Sequence, residues 1–224
     1  MVSNCKKEAG VGQRIPEGEV PEEVRLVNEF LNTLDLERFG EHAGKPEAER
    51  EELRSPERLG DWLVARGLLG RGEMVGARDL ELALKVRDAL RVAASANSVL
   101  ARGGPAGVSF EEVPLVVRLG GDSKPELVCT EGGVKGALGS ILADVAVAAS
   151  KGTWARMKIC AAEDCRWAYY DHSKSRTGRW CAMETCGNRH KTRRYRQKRR
   201  ISTAKEVRPG GTILATPGDD ILSC

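Results

Sequence analysis

The chain has 224 residues, 41% of them hydrophobic, and a formal net charge of +4. That is enough for one large domain or two small ones around a real core, and no continuous apolar run is long enough to cross a membrane. The charge is unevenly spread: residues 1–150 hold 19 Lys/Arg against 25 Asp/Glu, residues 151–200 hold 15 against 4, and residues 201–224 hold 2 against 3. An acidic first part followed by a segment of net +11 points to a polyanion as partner of the second.

Residues 1–19 are polar and aperiodic, as expected of a flexible arm. A helix is expected from about Pro21, because proline suits a first turn and Glu22 and Glu23 favour the N-terminal end. Val24, Val27, Leu31 and Leu34 form its apolar stripe, with Phe30 beside it. Asn28 and Asn32 lie one turn apart; they either line a ligand pocket or, more commonly for such residues, hydrogen-bond a neighbouring segment. Residues 40–54 read as a solvated loop. Ser55-Pro56-Glu57 is a helix start, with serine as cap and proline at the first position. That helix runs through Leu59, Trp62, Leu63 and Ala65 and stops near Gly67.

Asp79 opens a long helix in which Leu82, Val86, Ala89, Ala93, Ala96 and Leu100 recur in steps of four and three. Glycines and a proline in 101–107 end it. Val108–Phe110, Leu115–Leu119 and Leu127–Thr130 are short β-prone runs, read as a small meander. A last helix covers about Val134–Ala149, and Lys151-Gly152-Thr153 is the natural linker out of a first domain spanning 20–150. The fold class is therefore α+β, with a mainly helical N-terminal domain. No phosphate-loop, Rossmann glycine signature, nucleophile elbow or His-Glu-x-x-His is present, so no enzyme is expected.

Cys160-x4-Cys165 and Cys181-x4-Cys186, fifteen residues apart, are the strongest chemical signal. Two short thiolate pairs bracketing a hairpin can close a tetrahedral shell around one zinc ion, a structural site with no open position. The alternatives are an iron–sulfur cluster, two disulfides or four ordinary buried thiols. Disulfides belong to oxidising compartments, and the first residues lack the apolar stretch of a signal peptide, so a cytoplasmic setting is expected. The remaining Cys5, Cys129 and Cys224 share no pattern. His42, His172 and His190 are spare ligands that four thiolates make unnecessary.

Six of the ten aromatic residues (Trp154, Trp167, Tyr169, Tyr170, Trp180 and Tyr195) fall in this region. A module of about forty residues needs a metal and large rings to hold together. Trp167 and Trp180 read as packing; Tyr170 and Tyr195 are open between packing and base stacking. Arg166–Tyr170 is expected as a strand, Asp171–Gly178 as a turn and Arg179–Cys181 as the return strand. From about Thr185 to Arg200 the composition favours a helix. That gives a treble-clef-like zinc finger over 154–200, ending in a basic helix and followed by a disordered tail, 201–224.

The string Cys160-x4-Cys165-Arg-Trp-Ala-Tyr-Tyr-Asp171, then Arg179-Trp-Cys-Ala-Met-x-x-Cys186-Gly187-Asn188-Arg189, resembles the CGNR zinc finger, a C-terminal domain of bacterial proteins. Val24-Arg-Leu-Val-Asn28-Glu-Phe-Leu-Asn32-Thr33-Leu-Asp35 resembles the start of the ABATE domain, described as a candidate stress-induced transcription regulator. The resemblance implies zinc binding and DNA binding, and so a transcriptional regulator.

The helix carries Arg189, Lys191, Arg193, Arg194, Arg196, Lys198, Arg199 and Arg200, and the hairpin adds Lys174, Arg176 and Arg179 as candidate phosphate contacts. DNA is the expected partner and RNA the alternative, since charge alone does not prove sequence reading. Arg189 and Asn188 also have a bracing role open to them. Rival readings are a protein-interaction or small-molecule-sensing module centred on residues 20–150, whose effector the sequence does not reveal, and a thiol redox sensor using the four cysteines. The acidic half docking on the basic one as an autoinhibitor is a further expectation.

Overall fold

The computed structural model describes residues 20–206 apart from 40–42, 45, 47–48, 99–106, 108 and 122–123. The expected arm 1–19 and most of the expected tail, as well as His42, Leu100 and Val108, lie outside the described residues.

Helix α1 spans Glu22–Leu31 behind Pro21 and buries Val24, Val27, Phe30 and Leu31. It stops before Leu34, which pairs instead with Glu51 in an isolated antiparallel bridge. The far end of the expected loop 40–54 is therefore built into the core. Asp35 N donates to Arg50 O and Glu52 N to Thr33 O, and Leu53 is fully buried.

Helix α2, Pro56–Ala65, starts as its sequence dictates, with Ser55 Oγ accepting from Arg58 N, and Gly67 follows in the left-handed region at φ 69°. Phe30 of α1 meets Trp62 of α2 with ring centroids 5.6 Å apart.

Helix α3, Ala77–Ala96, buries Ala83, Val86, Arg87, Leu90, Arg91 and Ala94. Val86 is buried as expected, but the rest of the face is rotated by about one residue, some 100°, from the stripe expected through Leu82, Ala89, Ala93 and Ala96, which are half-buried. Here Arg87 lies inside because it forks onto both oxygens of Glu51, at 2.6 and 2.8 Å, and donates to Thr33 Oγ1 at 3.2 Å. A bidentate, hydrogen-bonded pair is the arrangement that makes a buried charge tolerable.

The β-prone segment yields two strands, β1 (Leu115–Leu119) and β2 (Pro125–Cys129), paired antiparallel with Val117 opposite Leu127. Phe110 lies outside both. Helix α4, Gly133–Ser150, packs against α1 and β2. Gly139 is required there, because a Cβ would come within 2.3 Å of Cys129 Cβ. By length and composition alone α4 could cross a membrane, although Lys135 and Asp144 interrupt its apolar run. In the fold it is a core helix, burying Val134, Ala137, Leu138 and Ile141.

A turn at Gly152 and a short 3-10 segment, Trp154–Arg156, lead into strand β3 (Met157–Ile159), which pairs antiparallel with β4 (Ala168–Tyr170). Met157, Ile159 and Ala168 belong to the same buried cluster as α1–α4. The expected linker 151–153 thus marks no break in packing, and the first compact unit runs on to Gly187. A single π-helical turn, Met183–Gly187, closes that unit. The second unit begins at Asn188 with helix α5, Asn188–Glu206, so helix continues six residues beyond the expected Arg200.

Candidate metal centre

Each cysteine pair sits on a short turn that the local sequence makes. After β3, Cys165 N and Arg166 N both donate to Ala162 O, at 3.0 and 3.1 Å, and Arg166 adopts φ 56° to turn the chain into β4. This brings Cys165 back beside Cys160. In the second pair Cys186 lies on the π turn and Cys181 just before it, and Gly187 N donates to Ala182 O at 3.1 Å. The expected return strand Arg179–Cys181 does not form. β4 pairs with β3 instead, and the second pair is tied in by one bond from Ala161 N to Arg179 O at 2.9 Å.

The four Sγ atoms lie within 4.8 Å of one another and all four residues are buried. Cys165 Sγ is 3.7 Å from Cys181 Sγ, which is 3.6 Å from Cys186 Sγ. A disulfide needs about 2.05 Å, whereas the edge of a tetrahedron with zinc–sulfur bonds of about 2.3 Å is about 3.8 Å. The donor set fits zinc. Four thiolates at this spacing need a cation between them.

Around the cluster pack Tyr169, Trp167, Trp180, Ala162 and Phe39. Trp167 and Trp180 therefore do the packing expected of them. Gly187 fits beneath them because a Cβ there would meet Met183 Sδ at 2.5 Å and Trp180 Cδ1 at 3.3 Å. His172 is exposed, its ring edge-on to Tyr170, and is no part of the thiol cluster.

Polar side chains of the helical part grip the backbone of the cysteine module. Arg91 of α3 donates to Leu31 O at the end of α1 and, at 2.7 Å, to Arg166 O beside Cys165. Burial, with help from the charges of Arg87 and Arg166, lowers its guanidinium to about 10. Asn32 binds Ala168 twice, Nδ2 to O at 2.9 Å and Oδ1 from N at 2.8 Å. Asn97 Nδ2 donates to Trp154 O and Met157 O, and Arg38 N to Asp164 O. Asn32 thus bonds a neighbouring segment, whereas Asn28 Oδ1 is buried with no hydrogen-bond partner among the described residues.

Comparison with known proteins agrees with this construction. The ABATE family model, titled "Putative stress-induced transcription regulator", matches residues 24–150, more than half of the chain. The CGNR zinc finger model matches residues 156–199. The chain belongs to the ABATE family and carries a CGNR zinc finger. No curated protein matches it. The family boundary between 150 and 156 falls inside one packed unit, so the ABATE part shares its core with Met157, Ile159 and Ala168 of β3 and β4, while the four cysteines form a separate buried cluster within the same unit. Its four cysteines can bind one zinc ion, and it is a zinc-binding protein of a regulator family.

Two residues that matter here escaped the sequence reading. Lys158 is 1% exposed and its ammonium reaches Asp171 Oδ2 at 2.6 Å, Arg176 O at 2.5 Å and Gly178 O at 3.4 Å, which uses all three protons. Burial pushes the Asp171 carboxyl up, but the Lys158 ammonium and the amides of Ser173 and Gly178 outweigh it and hold it down at about 2. A buried lysine one residue after a buried methionine gives no periodic signal. The one available clue was Asp171 and Gly178 spaced as the two ends of a loop.

Of the candidate nucleic-acid contacts, Lys174, Arg176 and Arg179 are exposed on the turn side of the finger, and Arg179 lies 5.0 Å over the Trp180 ring. On α5, Lys191, Arg193, Arg194, Arg196, Lys198 and Arg200 are exposed and Arg189 is half-buried. Tyr195, 62% exposed, is not a core residue.

Proposed function

We propose that this chain is a non-catalytic, zinc-dependent transcriptional regulator that binds DNA through α5, acting in the reducing cytoplasm of a bacterial cell. The observation that carries this reading is α5 itself. Between Arg189 and Arg200 it bears eight arginines and lysines and no carboxylate, and every residue from His190 to Arg200 is exposed. At 3.6 residues per turn, Arg189, Arg193, Arg196 and Arg200 share one face and Lys191, Arg194 and Lys198 the next. A helix so charged repels itself in water, and a polyanion relieves the repulsion.

An α-helix fits the major groove of B-DNA, where arginine can pair with both acceptors of a guanine edge, while most of its contacts go to phosphate. The description of the ABATE family as a transcription regulator supports the same reading. The zinc, held by four thiolates, has no vacant position for chemistry and serves to hold the fold.

Selection from random duplex DNA at two salt concentrations tests the proposal. The expected outcome is an enriched sequence, with log affinity falling by about 0.9 per neutralised phosphate for each log of salt. A shallow salt dependence rejects it; equal binding of all duplexes reduces it to charge alone; tighter binding of single-stranded RNA redirects it.

A further inference from the structure

The loop between β4 and the second cysteine pair is held from inside and charged outside. Asp171 Oδ1 accepts from Ser173 N at 3.0 Å and Oδ2 from Gly178 N at 2.8 Å. Lys158 fills the space beneath, bonding the Arg176 and Gly178 carbonyls, and Arg156 Nη1 donates to Asp171 O and Ser173 O at 2.9 and 3.0 Å. Gly178 has no room for a side chain, since a Cβ would lie 2.6 Å from Asp171 Oδ1.

This is far more fixing than a surface turn needs, and it includes a buried ion pair of the kind that hydrophobic residues often replace without loss of stability. Arg176 sits at φ 55°, a conformation unusual for a residue that is not glycine, and its side chain is exposed. The one carboxylate of the loop is turned inward and neutralised by Lys158. What faces water is Lys174, Arg176 and Arg179, with the hydroxyls of Ser175 and Thr177 2.7 Å apart between them.

We infer that residues 173–179 form a preorganised phosphate-binding loop, a nucleic-acid backbone contact separate from α5, with the buried Lys158–Asp171 pair as its positioning device. This rests on the nucleic-acid reading above and adds a second site to it. A loop already fixed loses little conformational entropy when it binds. Three cations, and the one hydroxyl proton that the Ser175–Thr177 bond leaves free, match the donors that phosphate oxygens take, and none of them identifies a base. The loop therefore adds affinity without altering sequence preference.

The test uses the full zinc-loaded chain and a duplex titrated over a range of salt. Replacing Lys174, Arg176 and Arg179 together by alanine should make the log–log salt slope shallower by about 2 to 3, and weaken binding to every duplex by a similar factor. A control variant that removes the same charge from exposed positions of the ABATE part, Arg54, Arg71 and Arg78, should leave the slope unchanged.

Asp171→Asn separates positioning from charge, because it removes one negative charge, which by itself favours a polyanion, while breaking the anchor. Weaker binding with zinc content retained supports the loop; tighter binding overturns it. If the wild type binds duplex but the triple variant behaves identically, this inference fails and the reading of α5 stands. If the wild type binds no nucleic acid, both fail.

Discussion

The guanidinium of Arg91, in the C-terminal half of α3, donates to the carbonyl of Arg166, the residue that follows zinc ligand Cys165. The same side chain caps Leu31 O at the end of α1. One arginine therefore joins an ABATE helix end to a turn of the CGNR finger. Arg91→Met should leave two carbonyls unpaired and cost about 2–4 kcal/mol. Thermal melts would measure the loss, and zinc transfer to a chromogenic chelator should accelerate. An unchanged transfer rate would mean that the contact does not support the site.

Substituting serine for any one of Cys160, Cys165, Cys181 or Cys186 should abolish stoichiometric zinc, read by elemental analysis as a fall from one ion per chain. Cobalt in its place should give the visible bands of a tetrahedral four-thiolate site. Protein that carries no metal and folds unaltered with all four serines would refute the assignment.

Since Met157, Ile159 and Ala168 lie in the core shared with α1–α4, removing zinc should not loosen the finger alone. Hydrogen exchange is the measurement: chelation should speed exchange of the amides of α1 and of Arg91's neighbours on α3 as well as those of β3 and β4. Faster exchange confined to residues 157–187 would show two independent folding units instead.

Gly178→Ala drives a methyl group against the carboxylate of Asp171, whose own position is fixed by Lys158. The expected cost is about 1–3 kcal/mol by chemical denaturation. By contrast, Gly187→Ala meets the flexible end of Met183, so pairing it with Met183→Ala should recover much of the loss.

The Asp171 carboxyl, held down at about 2, also fixes the sign of an acid effect. A depressed carboxyl stabilises the fold above its unfolded value near 4, and that contribution disappears as pH falls towards 2. Thiolate protonation releases zinc in the wild type and in a Lys158→Met, Asp171→Leu variant alike. The stability difference between the two, followed from pH 5 to 2, isolates the pair and should change in the direction that disfavours the wild type as acid is added.

Much of the molecule was legible because its signals are local. Ser55-Pro56 announces α2, Pro21 with Glu22 and Glu23 announces α1, and two x4 cysteine spacings announce the metal cluster. What misled was long-range. Arg87 and Arg91 have no visible reason to lie inside until Glu51, 36 residues before Arg87, and Arg166, 75 after Arg91, are brought to them. The return strand expected at Arg179–Cys181 failed for a similar reason: β3, on the far side of the first cysteine pair, takes the partner face of β4. Lys158 has its reason for being inside only once the loop 171–178 folds over it.

The two hydrogen bonds between the Asn32 amide and Ala168 have a further consequence. A ribbon with three residues per strand leaves an outer rim of bare peptide groups, an invitation for a stray chain to add itself. Asn32 offers one donor and one acceptor as a neighbouring peptide would, so a single side chain acts as the missing third strand and seals β4 against such recruitment. Asn32→Leu should thus betray itself first as clumping at high protein concentration, before any fall in melting temperature becomes large.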